Sequence, residues 1–405
     1  MLIDLADAEP ATSGGKAAVL ARLLEAGLPV PPGFVVPTAV YEHATEGFDI
    51  SAAGALRDLA GPSPALIEEI GRALTRITGD GYVAVRSSAT SEDTAAATAA
   101  GQHDTFLGVS GPDQVADAVR RCWASLWSGR AVEYRRWQAD ADSPSIAVLV
   151  QRLVDADVAG VMFTGADVRL EASWGLGESV VSGQVTPDSW RLSGSTITHR
   201  TLGTKKTRID RDHTGVVTRE VGPAGRERFC LTDDEVTRLA DIGRQTADLL
   251  GGPQDIEWAI TGSQIWILQA RPVTSALPAG PPAAADTTHG SEVRSGTPAS
   301  PGSAAGSARV VCGPGDFARV RPGDVLVCRT TDPAWTPLFG VVAAVVTETG
   351  GLLSHAAIVA REQGIPAVLA VPDATTVLPD GAMVEVDGST GRVALLGTWP
   401  RTSTR

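Results

Sequence analysis

A mixed architecture, α/β and α+β in more than one domain, is what the sequence predicts, and three observations carry that expectation. The chain is 405 residues long, beyond the length at which a single hydrophobic core keeps growing. Between Ser275 and Ser300 the run SALPAGPPAAADTTHGSEVRSGTPAS is rich in Pro, Ala, Gly, Ser and Thr and has no apolar periodicity, which is the composition of a semi-extended linker. On either side of it, short β-branched runs bounded by Gly and Pro alternate with stretches of helical periodicity. The expected organisation is a first domain over residues 1–274, a linker over 275–300, a small second domain over 301–397 and a tail over 398–405. No internal repeat of solenoid length is visible.

The elements follow in chain order. Lys16 to Ala26 reads as an amphipathic helix, with Val19, Leu20, Leu23 and Leu24 on one face, Ser13-Gly14-Gly15 before it and Gly27 as its C-terminal stop. YVAVRS, IAVLVQRLV and GVMFT are short, β-branched runs between breakers and read as strands. DIEWAI and QIWILQAR flank Thr261-Gly262-Ser263 and read as a hairpin. Beyond the linker, ARVV, DVLVCRT, VAAVVTE, PAVLAV and MVEVDG read as strands around a helix from about Ser354 to Gln363, a compact β/α unit.

Composition excludes several function classes. The formal net charge is −13, which argues against a general nucleic-acid or anionic-membrane binder, so any phosphate site must be a local device. No apolar run approaches the roughly 20 residues of a membrane span, and the opening MLIDLADAEPAT has no basic segment before an apolar core; the expected location is the cytoplasm. Cys122, Cys230, Cys312 and Cys328 are scattered without close pairing, which fits reduced packing residues better than a zinc site or a disulfide framework. Only Lys16, Lys205 and Lys206 are lysines, every other cationic side chain being arginine. In that background a retained lysine hints that a compact ammonium is wanted, a hint that matters at Lys16.

The stretch TETGGLLSHAAIVAREQGIPAVLAV delivers His355 to the first turn of a helix directly behind Gly350-Gly351. Free backbone N–H groups and the helix dipole favour an anion there and disfavour a second positive charge on the imidazole, and neutral imidazole is the nucleophilic form. By position alone such a histidine caps or packs. The wider wording, from Thr331-Asp332-Pro333-Ala334-Trp335-Thr336-Pro337 through Gly364-Ile365-Pro366-Ala367-Val368, resembles the phosphohistidine signature of the phosphoenolpyruvate-utilising enzymes: phosphoenolpyruvate synthase, pyruvate phosphate dikinase and the rifampin phosphotransferases. Trp-Thr-Pro and Gly-Gly-Leu-Leu-Ser-His are nearest to the rifampin phosphotransferase branch. The resemblance implies that His355 is the residue phosphorylated from ATP, on a small swivelling domain.

It also implies an ATP site in the first domain. Ser13-Gly14-Gly15-Lys16 resembles the opening of the family's ATP-grasp domain, where a glycine turn lets backbone approach phosphate and the lysine adds a point charge. In VAVRSSATSEDTAAATAAGQHDTFLGV, Arg86, Gly101 and Thr105 fall on the family's nucleotide-binding positions. Likeness continues through VLVQRLVDADVAGVMFT and SWGLGESVVSGQVTPD to PQDIEWAI and ILQARPVT, making Gln151 a candidate polar contact and Glu178 a lesser one. On facing arms of the hairpin, Glu257 and Gln269 offer hard oxygen ligands for an Mg²⁺ that already holds ATP phosphates. Asp255 and Arg271 lie on the same face, and Arg271 is suited to neutralising developing charge.

Two features depart from the family. Leu353-Ser354 precede the histidine where phosphoenolpyruvate synthase and the dikinases carry Thr-Cys. Neither a phosphoenolpyruvate/pyruvate barrel nor a drug-binding domain is recognisable, so the expectation is a complete donor half without its acceptor half. The expected function is an AMP-forming, ATP- and Mg²⁺-dependent phosphotransferase that passes the β-phosphoryl group through phospho-His355 to a small-molecule acceptor, with a partner chain as a possible source of the acceptor site. A donor subunit of a split phosphoenolpyruvate synthase-like enzyme and a non-enzymatic phosphohistidine carrier or regulator are the alternatives.

Overall fold

The computed structural model describes residues 1–46, 61–79, 81–90, 105–127, 145–213, 215–275, 277 and 293–396. They form two compact units: Met1–Gly177 with Ser189–Thr201 and Thr207–Thr274, and Glu178–Asp188 with Leu202–Lys206 and Ser275–Arg405. The mixed multidomain class predicted from sequence is the class observed.

The first unit holds two sheets. In one, β1 (Ile3–Asp4), β2 (Gly33–Val36), β3 (Val83–Ala89), β4 (Thr105–Val109) and β5 (Ile146–Arg152) take the order β1-β2-β5-β3-β4. Its inner strands β2 and β5 are nearly uninterrupted apolar runs because both faces are covered. Phe34, Val36, Val83, Val85, Val148 and Val150 pack with the helices Pro64–Thr78 and Pro112–Ser125, while Val35, Ala147 and Leu149 join a cluster with the helix Pro10–Glu25 and the second sheet. That second sheet comprises β6 (Val158–Phe163), β7 (Asp167–Trp174), β8 (Asp188–Ser193), β9 (Thr196–Thr201) and two strands described below. A separate ribbon pairs β10 (Thr207–Asp212) with β11 (Gly215–Glu220). Two long strands, β12 (Gln254–Thr261) and β13 (Gln264–Pro272), complete the sheet in the order β13-β12-β6-β7-β8-β9. The helix Asp233–Leu250 covers it; a capping box of Thr232 and Glu235 starts that helix, and Gly251, at φ +83°, ends it.

The second unit is built on β14 (Val293–Ser295), β15 (Thr297–Ser300), β16 (Ser303–Val311), β17 (Val325–Cys328), β18 (Ala344–Thr347), β19 (Ala367–Leu369), β20 (Met383–Asp387) and β21 (Arg392–Leu395), in the order β14-β21-β20-β16-β17-β18-β19-β15. Strands β16 to β19 pair in parallel, with antiparallel strands at both edges. The helix His355–Gln363 packs Ala356, Ala357, Val359 and Ala360 onto one face with Leu326, Phe339 and Val345.

Two boundaries differ from the sequence reading. The linker expected over 275–300 is strand at its C-terminal end: β14 pairs with β21 and β15 with β19, so the second unit begins no later than Val293. Neither run is apolar enough to announce itself, and each is a strand because a neighbour supplies its hydrogen bonds. Glu178–Asp188 and Leu202–Lys206, expected in the first domain, belong by contact to the second unit. Most of the linker and the tail 398–405 lie outside the described residues. No helix among the described residues is long and apolar enough to cross a membrane.

Candidate nucleotide and phosphohistidine sites

The glycine turn read before Lys16 is a break inside a longer helical run. Pro10–Glu25 is helical except at Gly14, which takes φ +75° and ψ 171°. Only glycine fits there: a Cβ would stand 2.0 Å from the Ser88 carbonyl oxygen. That close approach brings the turn against β3, where the Ala17 N–H donates to Ser88 Oγ at 3.3 Å and Lys16 Nζ donates to the Ser87 carbonyl at 3.3 Å. Lys16 is thus anchored one residue from Arg86.

Arg86 leaves β3 toward the other sheet. Its Nη2 donates to Glu257 Oε2 at 2.9 Å and its Nη1 to the Leu268 carbonyl at 2.8 Å, with the side chains of Arg86 and Glu257 12% and 21% exposed. Its buried Nε has no hydrogen-bond partner among the described residues. An orphaned donor on a partly paired guanidinium is a group that a phosphate oxygen satisfies. Thr105 lies directly opposite Arg86 on β4, so the two side chains share a face. Gln151 is opposite Ala84, two residues from Arg86, and lies on that face too; it is buried, and its amide donates to the Pro31 carbonyl at 2.9 Å. Gly101 lies outside the described residues.

The hairpin turns at Gly262-Ser263, with Gly262 at φ +57°. From there the register runs Thr261↔Gln264, Ile260↔Ile265, Ala259↔Trp266 and Trp258↔Ile267, then shifts so that Glu257 faces Gln269 and Asp255 faces Arg271. Leu268 is the extra residue of a β-bulge. Ile265, Ile267 and Ala270 point into the main core, whereas Trp266 and Leu268 pack with a smaller cluster around Ala259 on the opposite face, the face of Glu257. The bulge thereby keeps Gln269 and Arg271 out of the core, and it is the Leu268 carbonyl that receives Arg86. Arg271 Nε donates to Asp255 Oδ2 at 2.8 Å.

Lys16, Arg86 and Glu257 are therefore linked through two adjoining sheets of one unit by named contacts, and Thr105 and Gln269 stand at strand positions opposite Arg86 and Glu257. Sequence reading missed two neighbours. Across β6, Val161 separates Glu257 from Glu171, and Phe163 separates Asp255 from Arg169, so Glu171 and Arg169 of β7 lie on the same sheet face. The signal was present in the alternation of DVRLEASW. Burial, followed by the neighbouring Arg191 charge, lowers the pKa of Arg169 against the pull of Asp167 and Glu171. Glu178, the lesser candidate, begins the short helix Glu178–Val181 of the second unit.

In the second unit His355 is the first residue of its helix, behind an extended Ser354 whose hydroxyl donates to the Gly351 carbonyl at 2.9 Å. His355 is 6% exposed, and its ring meets Phe339 edge to face at 6.4 Å. At the far end of the helix Gly364 takes the left-handed conformation and its N–H and that of Ile365 cap the last carbonyls. Arg361, six residues beyond the histidine, is buried and ties the helix to the turn before it, donating to the carbonyls of Leu352 at 2.9 Å and Ala299 at 3.0 Å.

Comparison with known proteins agrees with both halves. Residues 60–290 match the family model described as pyruvate phosphate dikinase, AMP/ATP-binding domain, and residues 320–391 match that described as PEP-utilising enzyme, mobile domain. A probable phosphoenolpyruvate synthase of Methanothermobacter thermautotrophicus is 39% identical over 424 positions, covering 94% of this chain and 61% of the relative. One from Archaeoglobus fulgidus is 37% identical over 420 positions, covering 94% and 56%. The phosphoenolpyruvate synthase of Pyrococcus furiosus is 34% identical over 460 positions, covering 94% and 56%. The chain spans 56% to 61% of the length of these relatives. With an ATP-grasp-type AMP/ATP-binding domain followed by a PEP-utilising mobile domain that carries His355, the chain belongs to the phosphoenolpyruvate synthase and pyruvate phosphate dikinase family.

Proposed function

We propose that the chain is an ATP-dependent, dikinase-type phosphotransferase that carries the β-phosphoryl group of ATP on His355 to a small-molecule acceptor. In the overall step the β-phosphorus exchanges its bond to the α–β bridging oxygen for a bond to an imidazole nitrogen, AMP leaves with that oxygen, water takes the γ-phosphoryl group as Pi by breaking the bond between the γ-phosphorus and the β–γ bridging oxygen, and the β-phosphoryl group stays on the imidazole. The observation that carries the reading is the position of His355 at the start of a nine-residue helix behind Gly350-Gly351, in a chain whose other unit joins Lys16, Arg86 and Glu257. A helix N-terminus favours the arriving anion and disfavours a positive charge on the imidazole.

Mg²⁺ fits the donor set as a cation brought with the nucleotide. Glu257 and Gln269 offer one carboxylate and one amide oxygen from directly opposed positions. Among the described residues no group of three or more His, Cys, Asp or Glu is arranged to hold a metal ion, so phosphate oxygens would complete the shell. In this role Glu257 exchanges Arg86 for the cation, and Arg86 turns to phosphate. Glu257→Gln is then expected to raise the Mg²⁺ concentration for half-maximal His355 labelling by roughly 10- to 100-fold, the effect of losing one charged contact. Titration of Mg²⁺ at saturating ATP measures it, and an unchanged midpoint removes Glu257 from the metal.

For the acceptor, the Trp335-Thr336-Pro337 wording favours a drug-like hydroxyl of the rifampin type. The curated relatives, named phosphoenolpyruvate synthases, support a second reading, a donor half that acts with a phosphoenolpyruvate-forming site, supplied by a partner chain in the split arrangement. A carrier without acceptor chemistry would accumulate stable phospho-His355. One experiment separates these: incubate the protein with Mg·ATP and, in turn, pyruvate, rifampin and no acceptor, and resolve the nucleotides. AMP with an equal amount of Pi is expected with the working acceptor; ADP as sole product would end the relay reading.

A further inference from the structure

Within the second unit the stretch Glu178–Asp188 lies against the turn that carries His355. Three donors of that turn and its neighbouring loop meet three carbonyl oxygens of the stretch: Thr330 Oγ1 donates to Ser182 at 3.0 Å, Thr349 Oγ1 to Gly183 at 2.7 Å and the Gly350 N–H to Val185 at 3.1 Å. Packing is equally close. Gly183 takes φ +70°, and a Cβ there would stand 3.3 Å from Ser354 Cβ and 3.4 Å from the Thr330 hydroxyl. Ser354 is the residue before the histidine.

The stretch is itself pinned. Asp188 Oδ1 accepts from Lys205 Nζ at 2.5 Å and from the Gly203 N–H at 2.7 Å, and both charged side chains are fully buried. Lys205 Nζ also donates to the Gly203 carbonyl at 3.0 Å, and the Lys205 N–H to the Thr186 carbonyl at 3.3 Å. Gly203 approaches so closely that a Cβ would lie 2.3 Å from the Pro187 carbonyl group. The ladder of carbonyls that the threonines grip is therefore held in one conformation by a closed polar network.

We infer that Thr330 and Thr349 are positioning residues for His355: their hydroxyls fix the histidine-bearing turn on the carbonyls of Ser182 and Gly183, and so set the direction in which the ring is presented. The inference rests on the phosphotransfer reading above. Residues 178–188 fall within the stretch matched by the AMP/ATP-binding family model, so the grip joins the histidine turn to chain belonging to the nucleotide half of the sequence. Its effect is on capture of phosphate by His355, with nucleotide affinity set elsewhere, by Lys16, Arg86 and the hairpin.

The test follows single-turnover labelling of the full chain with β-labelled ATP and Mg²⁺, at varied ATP, in the wild type, the Thr330→Val/Thr349→Val variant, the Thr330→Ser/Thr349→Ser variant and His355→Ala. Each lost hydroxyl bond is worth ~5-fold. The double valine variant is expected to label at least about tenfold more slowly with an unchanged half-saturating ATP concentration, and the double serine variant within about twofold of the wild type, because it keeps the donors. A double valine variant that labels at the wild-type rate or faster overturns the positioning role. So does a serine variant as slow as the valine one, since methyl packing would then be the cause, or a loss confined to ATP half-saturation. Should the double valine variant not fold, Thr349→Val alone is read the same way. Wild-type protein that takes up no more label than His355→Ala would sink the phosphotransfer reading, and the positioning role with it; a labelled wild type with indifferent threonines would sink the positioning role alone.

Discussion

His355→Ala is expected to abolish uptake of label from β-labelled ATP while ATP still binds. A covalent relay has no intermediate without its nucleophile, so the loss is total and not graded. The nucleotide contacts argued for Lys16, Arg86, Glu257 and Gln269 belong to the other unit, and none of them involves the histidine. Alanine is also the best helix former, which favours the helix His355–Gln363 even as the ring leaves its contact with Phe339. Calorimetric titration with Mg·ATP should give an affinity within about twofold of the wild type, and protein quenched in alkaline denaturant, where a phosphohistidine P–N bond survives, should carry no label. Residual labelling that survives the substitution would assign the phosphoryl group to a different residue.

The largest expected effect on stability comes from Lys205→Met. Asp188 is buried with Lys205 as its ammonium partner and Gly203 as its amide partner. Removing only the lysine charge takes the ammonium partner away from a carboxylate in the interior, a change of about 3–5 kcal/mol in this setting. Methionine keeps the stem length, so the loss is electrostatic and not a cavity. The double variant Asp188→Asn/Lys205→Met is the control: asparagine still accepts from Gly203 and carries no charge, so most of the lost stability should return. Urea unfolding followed by far-UV circular dichroism reads both; a single variant as stable as the wild type would show that the pair has no net effect. The scarcity of lysine thus bears on a second position: the hint drawn from arginine bias pointed to Lys16, and the more enclosed ammonium is Lys205.

What could be read from the sequence divides along a physical line. Local signals sufficed for the helix His355–Gln363, which has a Gly-Gly turn before it and Gly364 behind it, and for the hairpin arms, whose alternation and Gly262 turn are written in consecutive residues. Signals carried by distant partners did not. Strands β14 and β15 look like linker because Val-Arg-Ser and Thr-Pro-Ala-Ser owe their conformation to β21 and β19. Helical periodicity alone could not show that Glu178–Asp188 would join the later unit. The pairing of Glu257 with Gln269 is the middle case: a regular ladder from the Gly262-Ser263 turn would set Glu257 against Leu268, and only resemblance to the DIEW and LQARP wording indicated that Glu257 and Gln269 belong together. Gln151 was picked as a polar end of a strand, and the structure engages its amide with Pro31.

The bulge at Leu268 has a consequence for how sequence variation in this hairpin should be interpreted. What Arg86 holds at that position is a main-chain oxygen, and every amino acid supplies one. A library of single replacements would therefore score Leu268 on its apolar packing alone and remain blind to its electrostatic part. Loss of one residue from the arm does the opposite: it straightens the ladder, leaves Glu257 beside Gln269, and takes the oxygen away. At this point the site is encoded in the length of the chain and not in its alphabet, so insertions and deletions, not substitutions, are the changes that would expose it.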